Sequence, residues 1–581
     1  MKKHIYILSF LIALFLISLA LEPNFTPKGS LYIYNGPVIT LEENQPEANA
    51  VFVDKGKIVA VGTDPELRRY LNETTKIIDL KGNTLLPGFI DPHTHPVASS
   101  FLHGMIDLSG FTHNNQKEIW SHLGSKIATY QPGEWILCKG LDVVLVDDLI
   151  PPHISYLDSI APNNPLLIAS LSMHSFWGNS LAFETAGIHR DTPNPSESSF
   201  YGKDEAGQLN GYISEQDAFE PFKIAVIKTM GNAVLKEKCV TVLDEYAKNG
   251  NTTITSMGIT TDDSNVIRLY EHLSSNQTSF LNKFLQKFRV LPDRKPTIRN
   301  IVYVRADADH LLPHSPNNGD DFFKIMGVKF WYDGSPYTGS MYLSEPYKPS
   351  EVNQKKIHVP IGHKGEALWN QSELTERIRE YGSNGWQVAI HTQGDQAIEE
   401  TLDAIEKAGV SKNARTRLEH CLLPRDASIS KMAELGVSPS FHINHLWYYG
   451  DALENHIIGK ERTEKILPLK KAEQADLKFS LHADQPMFES KPLSLIHTAV
   501  NRKTRDGKTV GPANSISILE ALKSMTIHAA WQINMGEKIG SISPGKYADF
   551  VILDQNPLTT SSEKIKDIRV LQTIVNGNIV F

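Results

Sequence analysis

Short apolar segments that end in polar residues recur eight times through the middle of the chain, and this repetition restricts the possible folds more than any other feature. The segments are LLPGFIDPHTH, NTTITSMG, NIVYVRAD, GVKFWYDG, WQVAIHTQG, RTRLEHCL, VSPSFHI and LKFSLHADQP. Helical patterns such as ELTERIREYG and DQAIEETLDAIEKAG sit between several of them. Strand–helix alternation repeated in this way predicts an α/β fold, a (β/α)8 TIM barrel. The stretch from about residue 108 to 215 breaks the alternation and is expected to be an insertion after the first barrel strand.

The two ends of the chain read differently. LYIYNGPVITL, AVFVDKGKIVAVG and TKIIDLKGNTLLPG near the start, and IGSISPGKYADFVILD and VLQTIVNGNIVF at the end, are rich in Val, Ile and Tyr and are punctuated by Gly and Asn. They predict short strands. Neither end is long enough to make a stable sheet alone. Residues 30–86 and 535–581 are therefore expected to pair as one small, discontinuous β-sandwich around a barrel domain spanning 87–534.

Lys2 and Lys3 precede an apolar run from Ile5 to Leu19, and Ser18 and Ala20 stand at signal-peptidase spacing. This predicts a signal peptide over residues 1–20 and an exported, periplasmic or secreted protein. The run is shorter than the ~20 residues a membrane span needs, although an uncleaved anchor is the alternative. No stable membrane insertion is expected after cleavage. The 581 residues are 41% hydrophobic and 21% charged, ordinary globular values. The net charge of -8, with no basic stripe, argues against nucleic acid as a partner. Three cysteines, Cys138, Cys239 and Cys421, cannot form a disulfide framework, though one bridge is left open. A small-molecule substrate is the expected partner, and homo-oligomerisation is left open.

In a TIM barrel the catalytic groups stand at the C-terminal ends of the strands. The first strand ends in Asp91-Pro92-His93-Thr94-His95. Histidines two positions apart on a strand face the same way, so His93 and His95 can hold one metal. Two buried histidines without partners would be costly, which favours ligation. The fifth and sixth strands end in His391 and His420, and the eighth carries Asp484. Five metal-type ligands at strand ends one, five, six and eight point to a divalent metal centre of one or two ions. Zinc suits the His and carboxylate set, with manganese or cobalt as neighbours.

With these residues in view, the sequence resembles the amidohydrolase superfamily, and within it the amidohydrolase-3 branch. PGFIDPHTHP, MHSFWGNSLAFETAGI, GVKFWYDGSPYTGS, WQVAIHTQGDQAI, RLEHC and GSISPGKYADFVILD carry the resemblance. It implies that Lys329, on the fourth strand, is carboxylated and bridges two metals; the competing expectation is a salt bridge from Lys329 to Asp333 or a neighbour. It implies hydrolysis of a non-peptide C–N bond, an amide or N-acyl or N-formyl group, with Asp484 as general acid and base. His174, in the insertion, is the candidate oxyanion-stabilising group, set against a structural role beside Phe176 and Trp177. Where the branch has a Gly-Ser-Asp type ending on the eighth strand, this chain has His482-Ala483-Asp484, and Gln393 replaces a usual hydrophobic residue. His482 should face the same way as Asp484, toward substrate or a strand neighbour. The rival readings are a deaminase on the same scaffold and a secreted non-catalytic binding module; a serine hydrolase lacks its G-x-S-x-G elbow.

Overall fold

The computed structural model describes residues 25–27, 29–196, 199–259 and 264–581. The segment expected to act as a signal peptide lies outside the described residues.

Eight parallel strands form the central sheet. They are β1 (Phe89–Thr94), β2 (Asn251–Ile259), β3 (Arg299–Arg305), β4 (Phe323–Trp331), β5 (Gln387–Thr392), β6 (Arg417–His420), β7 (Ser438–Phe441) and β8 (Ser480–Leu481). Each overlaps one of the eight apolar segments, β4 beginning four residues before GVKFWYDG, and neighbours pair in chain order. Among the described residues no ladder joins β8 to β1. That seam is bridged by the His95 N–H donating to the Gln485 carbonyl at 2.7 Å and the Ser490 hydroxyl donating to Asp91 at 2.6 Å. The result is an almost closed α/β barrel.

The helices follow from spacing. In Asp395–Ala408 the residues Ala397, Ile398, Thr401, Leu402, Ile405 and Ala408 recur at helical period and are buried against the barrel. Gly409, at φ +67°, ends this helix in the left-handed conformation that favours glycine.

One segment read as a single barrel strand divides. In LLPGFIDPHTH, Thr84–Pro87 pairs antiparallel with Phe550–Leu553, and only Phe89–Thr94 enters the barrel. Gly88 makes the transition, because a Cβ there would lie 2.1 Å from the Thr252 side chain. The strand Thr84–Pro87 belongs to an eight-stranded sheet built from both ends of the chain, continuous from Lys57–Gly62 to Asn578–Ile579. The C-terminal part of this sheet starts later than the expected residue 535. Met535 and Ile539 instead pack with Ile90, Met257 and Tyr303 of the barrel. A buried ion pair fastens the sheet to β3: Arg299 donates to both oxygens of Asp549 at 2.6 and 2.9 Å.

The inserted region has a sheet of its own, six-stranded, between Ile106 and Ser214. Its packing includes Leu167, Phe176, Phe183 and Phe219 on one side and Leu108, Leu123, Ile136 and Trp177 on the other. It rests on segments that follow the C-terminal ends of barrel strands. Tyr449, after β7, donates to the buried Asp142, and Phe111 packs on Tyr448 at 4.1 Å. Lys356, after β4, donates to the Val143 carbonyl at 3.2 Å. The three cysteines are free and buried. Among the described residues no helix is long and apolar enough to cross a membrane.

Candidate metal centre

The C-terminal ends of β1, β4, β6 and β8 bring their polar side chains to one point. His95 Nε2 lies 3.0 Å, and His93 Nε2 3.4 Å, from Asp484 Oδ1. Lys329 Nζ lies 3.4 Å from His93 Nε2. His420 Nδ1 is 4.0 Å from Asp484 Oδ2, and its ring meets that of His391 at 4.3 Å between centroids. His391 itself turns Nε2 toward the Gly334 carbonyl at 3.4 Å. Three overlapping sets have ligand atoms close enough to share an ion: His93, His95 and Asp484; His93, His420 and His482; and His420, His442 and Asp484.

The local chain explains this convergence. His93 and His95 share a face by strand alternation, as the sequence predicts. Glu419 and His420 are adjacent, and on a regular strand they would point apart. His420 has φ +71° and Cys421 φ +46°, and this departure from extended backbone turns His420 into the same cavity as Glu419. Asp484 likewise stands at φ +58° just beyond β8. Backbone strain of this kind is characteristic of sites that over-determine their geometry.

The donor set fits a divalent cation. Asp484 Oδ1 makes no hydrogen bond, although two imidazole nitrogens lie within 3.4 Å of it. His93 Nδ1 is 2.7 Å from Glu419 Oε2, so its N–H donates there and leaves the Nε2 lone pair directed at Asp484 and Lys329. Burial and then the charge of Lys329 hold His93 well below the ordinary imidazole value, so the ring is neutral, as a ligand must be. Burial likewise lowers His420 and His482 strongly. For Asp484 burial opposes the charge, but His95, His442 and His482 outweigh it and hold the carboxylate ionised.

Lys329 is buried, and burial lowers its pKa to about 8. Asp333 does not act as its counter-ion. That carboxylate accepts from the backbone N–H groups of Gln393, Gly394 and Tyr342 at 2.9, 2.9 and 3.0 Å.

His174 is 46% exposed and pairs through Nδ1 with Glu215 at 2.8 Å. Its crowded surroundings work against a charge on the ring, but the Glu215 carboxylate outweighs them and raises the pKa. Its hydrogen bonds go to Glu215 and to the Ser172 hydroxyl, not to a candidate metal ligand.

Sequence reasoning missed four residues. Glu419 orients His93, and Arg417 Nε holds Glu419 at 2.8 Å. His442 and His445, just beyond β7, meet with ring centroids 4.1 Å apart and planes tilted by 55°, and add two buried imidazoles. The run RLEH contained the signal for the first pair, since a buried Arg and Glu two residues apart on a strand must face each other. His482 hydrogen-bonds its strand neighbour Ser440 at 2.8 Å and approaches His420 Nδ1 at 3.2 Å.

Over residues 76–581 the sequence matches the amidohydrolase family, in its third branch. The chain belongs to the amidohydrolase family. It is 26% identical over 570 residues to the N-substituted formamide deformylase of Arthrobacter pascens, a match covering 95% of this chain and 98% of that protein. It is 24% identical over 559 residues to the putative amidohydrolase YtcJ of Bacillus subtilis, covering 94% and 98%. In fold it is similar to the crystal structure of an uncharacterised metal-dependent hydrolase from Pyrococcus horikoshii, with TM-score 0.68, 22% identity and coverage of 92% and 99%. The carboxylate that orients a ligand of this amidohydrolase gives a prediction. Glu419→Gln should weaken metal retention about 10–100-fold, read by competition with a chelator of known affinity. Unchanged affinity would remove Glu419 from the metal centre.

Proposed function

We propose that this amidohydrolase hydrolyses a non-peptide C–N bond in a small molecule, an amide or an N-acyl or N-formyl group. One observation carries the reading: His93, His95 and Asp484 direct ligand atoms at one another within 3.4 Å, with Lys329 Nζ at the same point. The family and the 26% identity to an N-substituted formamide deformylase support the bond type.

His93, His95, His391, His420, Asp484 and a carboxylated Lys329 would hold one or two divalent ions, zinc before manganese or cobalt. When bound, the ions supply Lewis acidity toward a carbonyl oxygen and acidify water. Asp484 accepts the proton of the attacking water and delivers it to the departing nitrogen. The inserted domain covers the mouth and excludes bulk water, which strengthens every polar contact inside. His174 serves the developing oxyanion from that cover. His174→Ala should therefore lower kcat and leave metal content unchanged. An unaltered kcat would reduce His174 to a structural partner of Glu215.

An unmodified ammonium between two cations would be repelled, whereas a carbamate is anionic and bridges them. The intact mass of the native protein should accordingly exceed the sequence mass by one carbon dioxide, and Lys329→Arg should lack the increment. Export through the N-terminal apolar run is part of the same proposal, and it places the substrate outside the cytoplasm.

The reading is tested by screening N-formyl, N-acyl and cyclic-amide compounds with zinc or manganese present. Release of a carboxylate or formate supports it; release of ammonia from an amidine-type substrate would replace it with deamination.

A further inference from the structure

The short helix Phe280–Lys287, capped by Ser279, is built inside out. Surface helices bury their apolar stripe and expose their polar one. Here the polar Asn282 is buried, while Phe280 and Leu281 are 52% and 51% exposed, and Val290, just beyond the helix, is 46% exposed. Phe284 and Phe288 pack ring to ring at 4.7 Å on the same segment, with large parts of both rings at the surface. Lys236 donates to the Val290 carbonyl, which ties the helix Asn232–Lys248 to this segment. A contiguous apolar surface of this kind marks an interaction site.

Its charge is one-sided. Between residues 276 and 295 the chain carries Lys283, Lys287, Arg289 and Arg294 against the single acid Asp293, with Lys295 paired to Asp244 at 2.6 Å, although the protein as a whole is net negative at -8. Apolar side chains ringed by cations are the composition of helices that lie in the headgroup layer of an anionic bilayer.

The start of the described chain lies at the same place. The Phe25 N–H donates to the Asn276 carbonyl at 3.4 Å, Thr26 Oγ1 accepts from Asn276 Nδ2 at 3.0 Å, and Arg294 covers the Phe25 ring at 4.4 Å. Asn276 and Arg294 bracket the helix in sequence. The apolar run Ile5–Leu19 is joined to Phe25 by residues 20–24. A link of that length spans at most about 18 Å when fully extended.

We propose that this flank of the barrel, comprising Phe280, Leu281, Val290 and their surrounding lysines, docks on the surface of an anionic lipid bilayer. The contact is peripheral, with the helix lying in the headgroup layer rather than crossing. The patch shares no residue with the metal centre, so the proposal stands independently of the reaction.

The native cysteines are all buried, so Leu281→Cys in the full-length chain can be labelled selectively with an environment-sensitive nitrobenzoxadiazole probe. With vesicles of phosphatidylcholine and about one-quarter phosphatidylserine, emission should shift to the blue and be quenched by nitroxide-bearing lipid. A probe at the exposed Glu205→Cys of the inserted domain should stay in water. The pair Phe280→Asp and Val290→Asp should weaken vesicle binding about tenfold, and high salt should weaken it further. A Leu281→Cys probe that stays water-like while the protein floats with vesicles would assign all binding to the leader and overturn the proposal. Failure to float at all would also overturn it. So would a blue shift that needs no vesicles and grows with protein concentration, because a second copy of the chain would then be the occupant.

Discussion

Asp484→Asn is expected to fold like the native chain and to lose turnover by about 10²–10⁴-fold. The substitution keeps the shape of the side chain, so β8 and the turn that follows it have no steric reason to move. It changes two chemical properties. The first is charge: Oδ1 stands 3.0 Å from His95 Nε2 and 3.4 Å from His93 Nε2, and Oδ2 lies 3.9 Å from His442 Nδ1, so the carboxylate charge faces three imidazoles. The second is the capacity to take up a proton and give it back, which an amide lacks. Circular dichroism and thermal unfolding report the fold, and single-turnover kinetics report the chemical step. A variant within a factor of about three of wild type, roughly 0.6 kcal/mol of barrier, would show that Asp484 neither holds the ion nor moves the proton.

The parts of the molecule that were legible in sequence are those where one local rule decides. Apolar runs bounded by helical repeats gave all eight barrel strands, because a strand buried on both faces tolerates little else. The facing of His93 and His95 follows from the two-residue period, whereas His482 and Asp484 lie beyond β8 and Asp484 stands at φ +58°. The inserted domain was recognised by where the alternation fails, but its six-stranded sheet was not. Its strands include Ile106–Asp107 and Tyr201–Lys203, too short for a period to register. The junction at Gly88 was also missed. Nothing in LLPGFI distinguishes a continuous strand from two strands in different sheets, and the cause is a contact with Thr252 far along the chain.

Within the metal centre the same division holds. Ligands that obey strand alternation were found, and Glu419 was missed because alternation turns it away from His420. Only the left-handed backbone at His420 and Cys421 admits both side chains to one cavity. His442 and His445 were missed for a different reason. His442 lies just past a short strand and His445 in the first turn of the helix Asn444–Ala452, so neither period runs long enough there to show direction.

Removal of divalent metal should abolish activity completely and leave the barrel folded, and zinc, manganese or cobalt should restore it where calcium and magnesium do not. The selectivity follows from the donors: imidazole nitrogens suit zinc and its neighbours, whereas the two hard cations require oxygen ligands. Survival of the fold follows from the protonation states. Burial already holds His93, His420 and His482 neutral without any ion, so the emptied site keeps rings that carry no mutual repulsion. The Asp484 carboxylate retains His95 at 3.0 Å, and Glu419 retains His93 at 2.7 Å. Loss of the ion therefore removes binding energy without creating a new charge. Reloading at about a thousandfold excess over Kd should add about 4 kcal/mol of stability, seen as a rise in Tm that tracks metal content measured by atomic emission. Full activity in a preparation shown to be metal-free would refute the assignment of this centre, and a loss of fold on chelation would mean that the histidines are held in place by the ion rather than by the barrel.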